Sequence, residues 1–122
     1  MVSSVTSFGR SGLSDWLLQR VTAVIIAAYT LFMVVYLLAA DGLTYSQWVA
    51  LHQSLWMRLF SLFAVLSVAI HAWIGLWSVL TDYVTVRLLG PKATLLRLLL
   101  ELGMITVTLA YVVWAIDILW GI

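Results

Sequence analysis

The stretch SVAIHAWIGLWSVLTDYV, residues 67–84, decides the fold. As far as Leu80 its one ionisable side chain is His71, in an otherwise mostly apolar run, and it closes with Asp82 and Tyr83 before Val84. Extended back to residue 59, the run reaches 80 with His71 as its only ionisable side chain. A run this long and this apolar reads as a transmembrane helix, since inside lipid the backbone must bond to itself. The question it poses is what satisfies a histidine near the bilayer midplane.

Two further spans flank it. VTAVIIAAYTLFMVVYLLAA, residues 21–40, carries no charge. At 1.5 Å per residue it covers roughly 30 Å, the thickness of the hydrocarbon core. The third run extends from about 95 to 120, with Glu101 one to two turns inside and Asp117 near its exit. The expected fold is therefore all-α: an integral membrane protein with three transmembrane helices over about 16–40, 57–81 and 95–120, forming a single domain over 1–122.

Composition agrees. Of 122 residues, 65% are apolar and 9% charged, and mean hydropathy is +1.13. Six basic and five acidic side chains are too few to clothe a soluble domain of this size. The near-zero net charge leaves no electrostatic footprint for nucleic acid. The chain has no cysteine, which excludes disulfides, thiolate metal sites and iron–sulfur ligation by its own residues. Seven tryptophans suit the water–lipid boundary.

Two connections join the spans. In residues 41–56, the segment LTYSQWVALHQSL has the pattern of a short interfacial helix. In residues 81–94, Gly90-Pro91 marks a helix break. Arg10, Arg20, Arg87, Lys92 and Arg97 fall on the N-terminal tail or around the second connection, and only Arg58 falls near the first. The positive-inside rule then places the N-terminus and the second connection on the cytoplasmic side and the C-terminus outside. The apolar run after the N-terminal 15 residues is too long for a signal peptide, so the first helix is expected to be a permanent span. Ser14 or Asp15 is expected to cap it.

Four residues are candidates for chemistry. Burial in hydrocarbon disfavours imidazolium, so His71 should be neutral, with one lone pair available to a metal or haem iron. Ala64, Ser67, His71, Gly75, Ser78 and Asp82 lie within about 40° of one direction on a helix. Such a small-residue stripe admits either a close helix or a flat cofactor. The competing reading is a histidine hydrogen-bonded to a neighbouring helix. His52 lies in the first connection, on the opposite side from the expected cytoplasmic face, so a second axial ligand would come from another polypeptide.

Tyr83 offers a phenolic O–H suited to a quinone carbonyl, and Asp82 could orient it or relay protons. The alternative is an interfacial tyrosine beside a solvated aspartate. Arg20, at the same end, could bind a haem propionate or simply snorkel. Arg97 and Glu101, four apart, are expected to pair. No paired catalytic carboxylates, nucleophile constellation or phosphate loop is present.

Together SGLSDWLLQRVTAVIIAAY, HAWIGLWSVLTDYV and the closing WGI resemble the small hydrophobic membrane anchor of bacterial succinate dehydrogenase, the D-type cytochrome b subunit of respiratory complex II. The resemblance covers essentially the whole chain. It implies that His71 is an axial ligand of haem b, shared with a C-type cytochrome b anchor subunit that supplies the other histidine. It implies that Tyr83 hydrogen-bonds ubiquinone with Asp82 beside it, and that Arg20 lies near the propionates. The expected partners are that C-type subunit, an iron–sulfur subunit, a flavoprotein subunit and the lipid bilayer, with no nucleic acid. The expected place is the bacterial cell inner membrane, multi-pass, with the N-terminus cytoplasmic and the C-terminus periplasmic. The chain would be a subunit outside the catalytic core of a quinone-reducing oxidoreductase of the tricarboxylic acid cycle.

Three rival readings stand beside this one. A fumarate reductase-type anchor would run the same chemistry in reverse. A cofactor-free scaffold would use His71 only to tie helices. A small multidrug-type transporter would need a carboxylate at depth, and only Glu101 could serve.

Overall fold

In the computed structural model, residues 12–121 are described. Arg10, Ser11 and Ile122, used in the sequence reading, lie outside them. The described chain is helical, with five α-helices in the order α1 (Gly12–Ala39), α2 (Tyr45–Gln53), α3 (Leu55–Tyr83), α4 (Val86–Leu89) and α5 (Ala93–Gly121). Three helical stretches, Gly12–Ala39, Leu55–Tyr83 and Val86–Gly121, are long and apolar enough to cross a membrane. Each expected span is found and overhangs its apolar run at both ends or nearly so. At 1.5 Å per residue, a 28-residue α1 is roughly 42 Å long, so its ends reach the headgroup zone.

The helix ends follow local chemistry. Within the described residues α1 runs from Gly12, so Ser14 and Asp15 lie inside it and not at its cap. Asp15 there complements the positive end of the helix dipole. α2 is the expected interfacial helix and opens with a capping box. The Thr44 hydroxyl accepts from the Gln47 N–H (3.3 Å), and the Gln47 Oε1 accepts from the Thr44 N–H (3.0 Å). A single residue, Ser54, separates α2 from α3. Its extended backbone makes the bend, and its hydroxyl accepts from the Met57 N–H at 3.2 Å. Between α3 and α5, Gly90 takes φ +79° and Pro91 opens the 3₁₀ turn that leads into α5. This is the predicted break, since Gly alone adopts that φ without cost and Pro cannot continue α4.

α3 is the centre of the bundle. Its Met57, Ser61, Ala64, Ser67, Ile74, Trp77 and Leu80 are buried. α1 packs antiparallel on one side of it and α5 on the other. On α1 only Thr22 is fully buried, and on α5 only Ala93 and Leu119. Apart from Leu119, most long apolar side chains of α1 and α5 stay on the outside. This inverted distribution is expected in lipid, where leucine gains nothing by leaving the hydrocarbon and small residues let backbones approach.

α2 folds back over one end of the bundle. Rings run in near-continuous contact from Phe60 through Tyr29, and from Phe32 through Tyr36 and Trp48 to His52. His52 is buried, contrary to a simple loop position. Its Nδ1 lies 2.9 Å from the Trp48 carbonyl. It lines a cavity of about 390 Å³ with Tyr29 and Ser61. Ser61 is ten residues, roughly 15 Å of helix, from His71, so the two histidines remain apart.

Candidate functional site

The half-buried His71 ring faces α1, where its Nδ1 lies 3.1 Å from the Thr22 Oγ1. Thr22 is 3% exposed, and its hydroxyl also lies 2.6 Å from the Leu18 carbonyl and 3.3 Å from that of Gln19. A hydroxyl has one hydrogen, and a carbonyl can only accept. The short contact to Leu18 takes that hydrogen, so Thr22 must accept from His71. With the bond in that direction His71 donates from Nδ1, which is the role of the Nδ1–H tautomer and leaves Nε2 as the ring's other nitrogen. Among the described residues Nε2 has no hydrogen-bond partner. A histidine with Nδ1–H bonded to the protein and Nε2 bare is the form that ligates a metal.

One turn further on, Gly75 accommodates Gln19. A Cβ at Gly75 would lie 3.9 Å from the Gln19 Nε2, and the Gln19 Oε1 is buried with no partner. The small-residue stripe thus resolves in favour of a close helix along part of its length. Ala64 and Ser67 are buried, and Gly75 is covered by α1, whereas Ser78 and Asp82 stay exposed. No group of three or more His, Cys, Asp or Glu side chains that could hold a metal ion occurs among the described residues.

Asp82 and Tyr83 form the last turn of α3, and both are exposed, Tyr83 by 65%. They stand on a firm base. Arg97 of α5 reaches across and donates from Nη2 to the carbonyls of Leu80 (3.3 Å) and Val84 (2.7 Å). A helix leaves its last carbonyls without partners, and that end carries partial negative charge, so a guanidinium is well placed there. Buried Leu80, Val84 and Ala93 pack around the contact. The expected Arg97–Glu101 pair does not form: α3 offers Arg97 fixed carbonyls, which compete well with a flexible carboxylate on its own helix.

Arg20 is exposed and sits over the Trp16 ring, its guanidinium carbon 5.2 Å from the centroid. It is two residues from Thr22, about 200° around the helix, so it points away from the side that meets His71. The structure brings His71 to Thr22, and Tyr83 and Asp82 to the Arg97 anchor. It does not join Arg20 to either group. His71 and Asp82 are 11 positions apart, roughly 17 Å along α3.

Sequence reasoning missed Thr22 and the anchoring role of Arg97. Thr22 shares its apolar run with Thr30, Tyr29 and Tyr36, so the sequence did not single it out. Nothing local signals Arg97, because its partners lie 13 and 17 residues away.

Comparison with known proteins bears on these features as a set. Residues 3–113 match the family model described as succinate dehydrogenase/fumarate reductase transmembrane subunit. The succinate dehydrogenase hydrophobic membrane anchor subunit of Coxiella burnetii (strain RSA 493 / Nine Mile phase I) is 40% identical over 111 residues, covering 91% of this chain and 90% of that protein. Three apolar helices, a match over most of the length and a relative this similar lead to one conclusion: the chain belongs to the succinate dehydrogenase/fumarate reductase transmembrane subunit family, as a multi-pass membrane anchor of the succinate dehydrogenase type.

Proposed function

We propose that this anchor holds a b-type haem jointly with a C-type cytochrome b anchor subunit and helps form a ubiquinone-reducing site in a bacterial inner membrane. The observation that supports the reading is the 3.1 Å contact of His71 Nδ1 with the Thr22 hydroxyl, which would turn Nε2 toward a haem iron. One histidine gives one axial position, so the other comes from the partner anchor. A haem held by His71 and the partner's histidine would supply one-electron transfer. Arg20, exposed beside Trp16, is available to a propionate only across the subunit interface.

At the end of α3, the Tyr83 O–H donates to a quinone carbonyl, which stabilises the negative charge that builds on that oxygen as electrons arrive. Asp82 orients the tyrosine or passes protons to the reduced ring. The Arg97 anchor fixes the turn that carries both. In this reading a flavoprotein subunit oxidises succinate and an iron–sulfur subunit delivers the electrons. Both dock at the Tyr83 end, which faces the cytoplasm with the N-terminus, while the C-terminus is periplasmic. The proton uptake of quinone reduction then draws from the cytoplasmic side. A fumarate reductase-type anchor is the same arrangement run in the other direction.

A second reading has its own support. The Thr22–His71 bond already ties α1 to α3, as a cofactor-free scaffold would require. One preparation separates the two: the complex pulled from its native membrane through this chain. We expect a dithionite-reduced minus oxidised spectrum with sharp b-type bands, lost in His71→Ala. We expect Tyr83→Phe to lower succinate:quinone activity at least tenfold while succinate oxidation with an artificial acceptor is kept. A pigment-free complex would favour the scaffold, and full quinone activity in Tyr83→Phe would remove the tyrosine's role.

A further inference from the structure

The hydroxyl that meets His71 is itself held, and this gives it more than a packing role. The Thr22 Oγ1 sits 2.6 Å from the Leu18 carbonyl, a short contact with an acceptor that cannot move because it belongs to the α1 backbone. Thr22 is 3% exposed, so no water or lipid headgroup competes for the hydroxyl. The result is a directed chain: His71 Nδ1–H to Thr22 Oγ1–H to Leu18 O=C. Each bond polarises the next, and the carbonyl dipole at the end pulls the imidazole proton toward Thr22. A ring whose Nδ1–H is drawn away is a better donor at Nε2.

We propose that Thr22 is a positioning residue for the iron ligand, fixing the Nδ1–H tautomer of His71 and raising the basicity of its Nε2. The inference rests on His71 being the axial ligand. It follows that Thr22 favours the ferric over the ferrous state, since the more positive iron gains more from a basic ligand. Removing the hydroxyl therefore raises the haem reduction potential and loosens the haem. Losing an outer-shell partner of a ligating histidine costs roughly 10–100-fold in metal affinity. A tenfold loss confined to the ferric form would appear as an upward shift of about 59 mV in a one-electron couple.

The test has two arms. The first needs no haem. The full chain, labelled with ¹⁵N-histidine and carrying His52→Gln so that His71 is its one histidine, is placed in lipid bilayers. Solid-state ¹⁵N spectra should give a protonated Nδ1 and a bare Nε2, and Thr22→Val should mix the two tautomers. A ring protonated on Nε2 with Thr22 present would overturn the proposal. The second arm uses the intact complex in a potentiometric titration. Thr22→Val should raise the midpoint and lower haem retention. Thr22→Ser, which keeps the hydroxyl, should restore both. Tyr29→Phe, which removes the Tyr29–Ser61 bond between the same two helices, should move neither. If wild-type complex contains haem and Thr22→Val titrates at its potential, this inference fails and the ligand reading survives. If wild-type complex contains no haem, both fail. Should Thr22→Val not assemble, the wild-type tautomer decides.

Discussion

The two sides of α3 are built on opposite plans. Toward α1 the seam is closed by small and polar residues. Thr22 meets His71, the Tyr29 Oη lies 2.8 Å from the Ser61 Oγ, and Gln19 lies against Gly75. Toward α5 the middle is open and apolar. A groove of about 480 Å³ runs between Val68, Ala72 and Leu76 on α3 and Gly103, Met104 and Val107 on α5. A second, of about 320 Å³, lies between Ile70 and Trp73 on α3 and Ile105 and Leu109 on α5. That seam is pinned near its ends. Arg97 holds the carbonyls of Leu80 and Val84, and the Arg58 Nε donates to the Leu119 carbonyl at 3.0 Å while the guanidinium lies 5.9 Å from the Trp120 ring.

The difference reflects what can drive helices together in lipid. Apolar surface gains nothing by burial there, so gaps between leucines carry no hydrophobic penalty. Association comes from close backbone approach and from hydrogen bonds that have no solvent alternative. The α1 seam has both along its length. The α5 seam is held by arginine bonds near its ends, where their heads can reach the interface. The chemistry follows the packing: the candidate ligand His71 sits in the rigid seam, and the candidate quinone residues sit at a pinned end.

Three substitutions break or sharpen this contrast. The largest effect is expected at Ser61, 3% exposed in the closed seam. Ser61→Leu overfills it and removes the partner of Tyr29. Overpacking of this kind destabilises by about 1–3 kcal/mol. Unfolding in mixed micelles, followed by circular dichroism, should fall accordingly, and an unchanged midpoint would mean the seam is not close-packed. Next is Arg97→Leu, which removes the charged donor from the Leu80 and Val84 carbonyls and leaves Leu80 only its bond from the Val84 N–H. Losing hydrogen bonds to a charged group should cost about 1.5 kcal/mol. In the complex, KM for quinone should rise several-fold while activity with an artificial acceptor is retained. An unmoved KM would show that Tyr83 does not depend on the anchor. The smallest effect, and one of opposite sign, is expected at Gly103. A Cβ there meets nothing within 4 Å, since the α5 seam is open. Gly103→Ala in mid-helix should stabilise by about 0.5–1 kcal/mol through the unfolded chain's lost freedom. A loss of stability would mean that the groove closes on this position in the assembled protein.

The spans, the α2 helix and the Gly90-Pro91 break were legible because each rests on information local to the chain. Length, hydropathy, a Thr-Ser-Gln cap and a glycine–proline pair act over a few residues. The choice of His71 and Tyr83 as candidates was also local, since an ionisable or phenolic group in an apolar run stands out unaided. Ser14 and Asp15 were expected at the cap of α1 but lie in its first turn, since serine and aspartate serve in both places. The Arg97–Glu101 pair was misread because spacing along one helix sees only that helix.

What the sequence by itself determined is the three membrane spans and their approximate places, together with which residues carry functional groups, since hydropathy and side-chain chemistry are properties of the chain. What only the tertiary structure decided is how those groups are held. Thr22 and His71 are 49 residues apart, and Arg97 and Leu80 are 17 apart. Whether a hydroxyl faces Nδ1, and so which ring nitrogen keeps its lone pair, depends on the rotation and depth of two helices against each other. Those are set by where small residues let backbones approach, a property of the packed pair that neither segment carries alone.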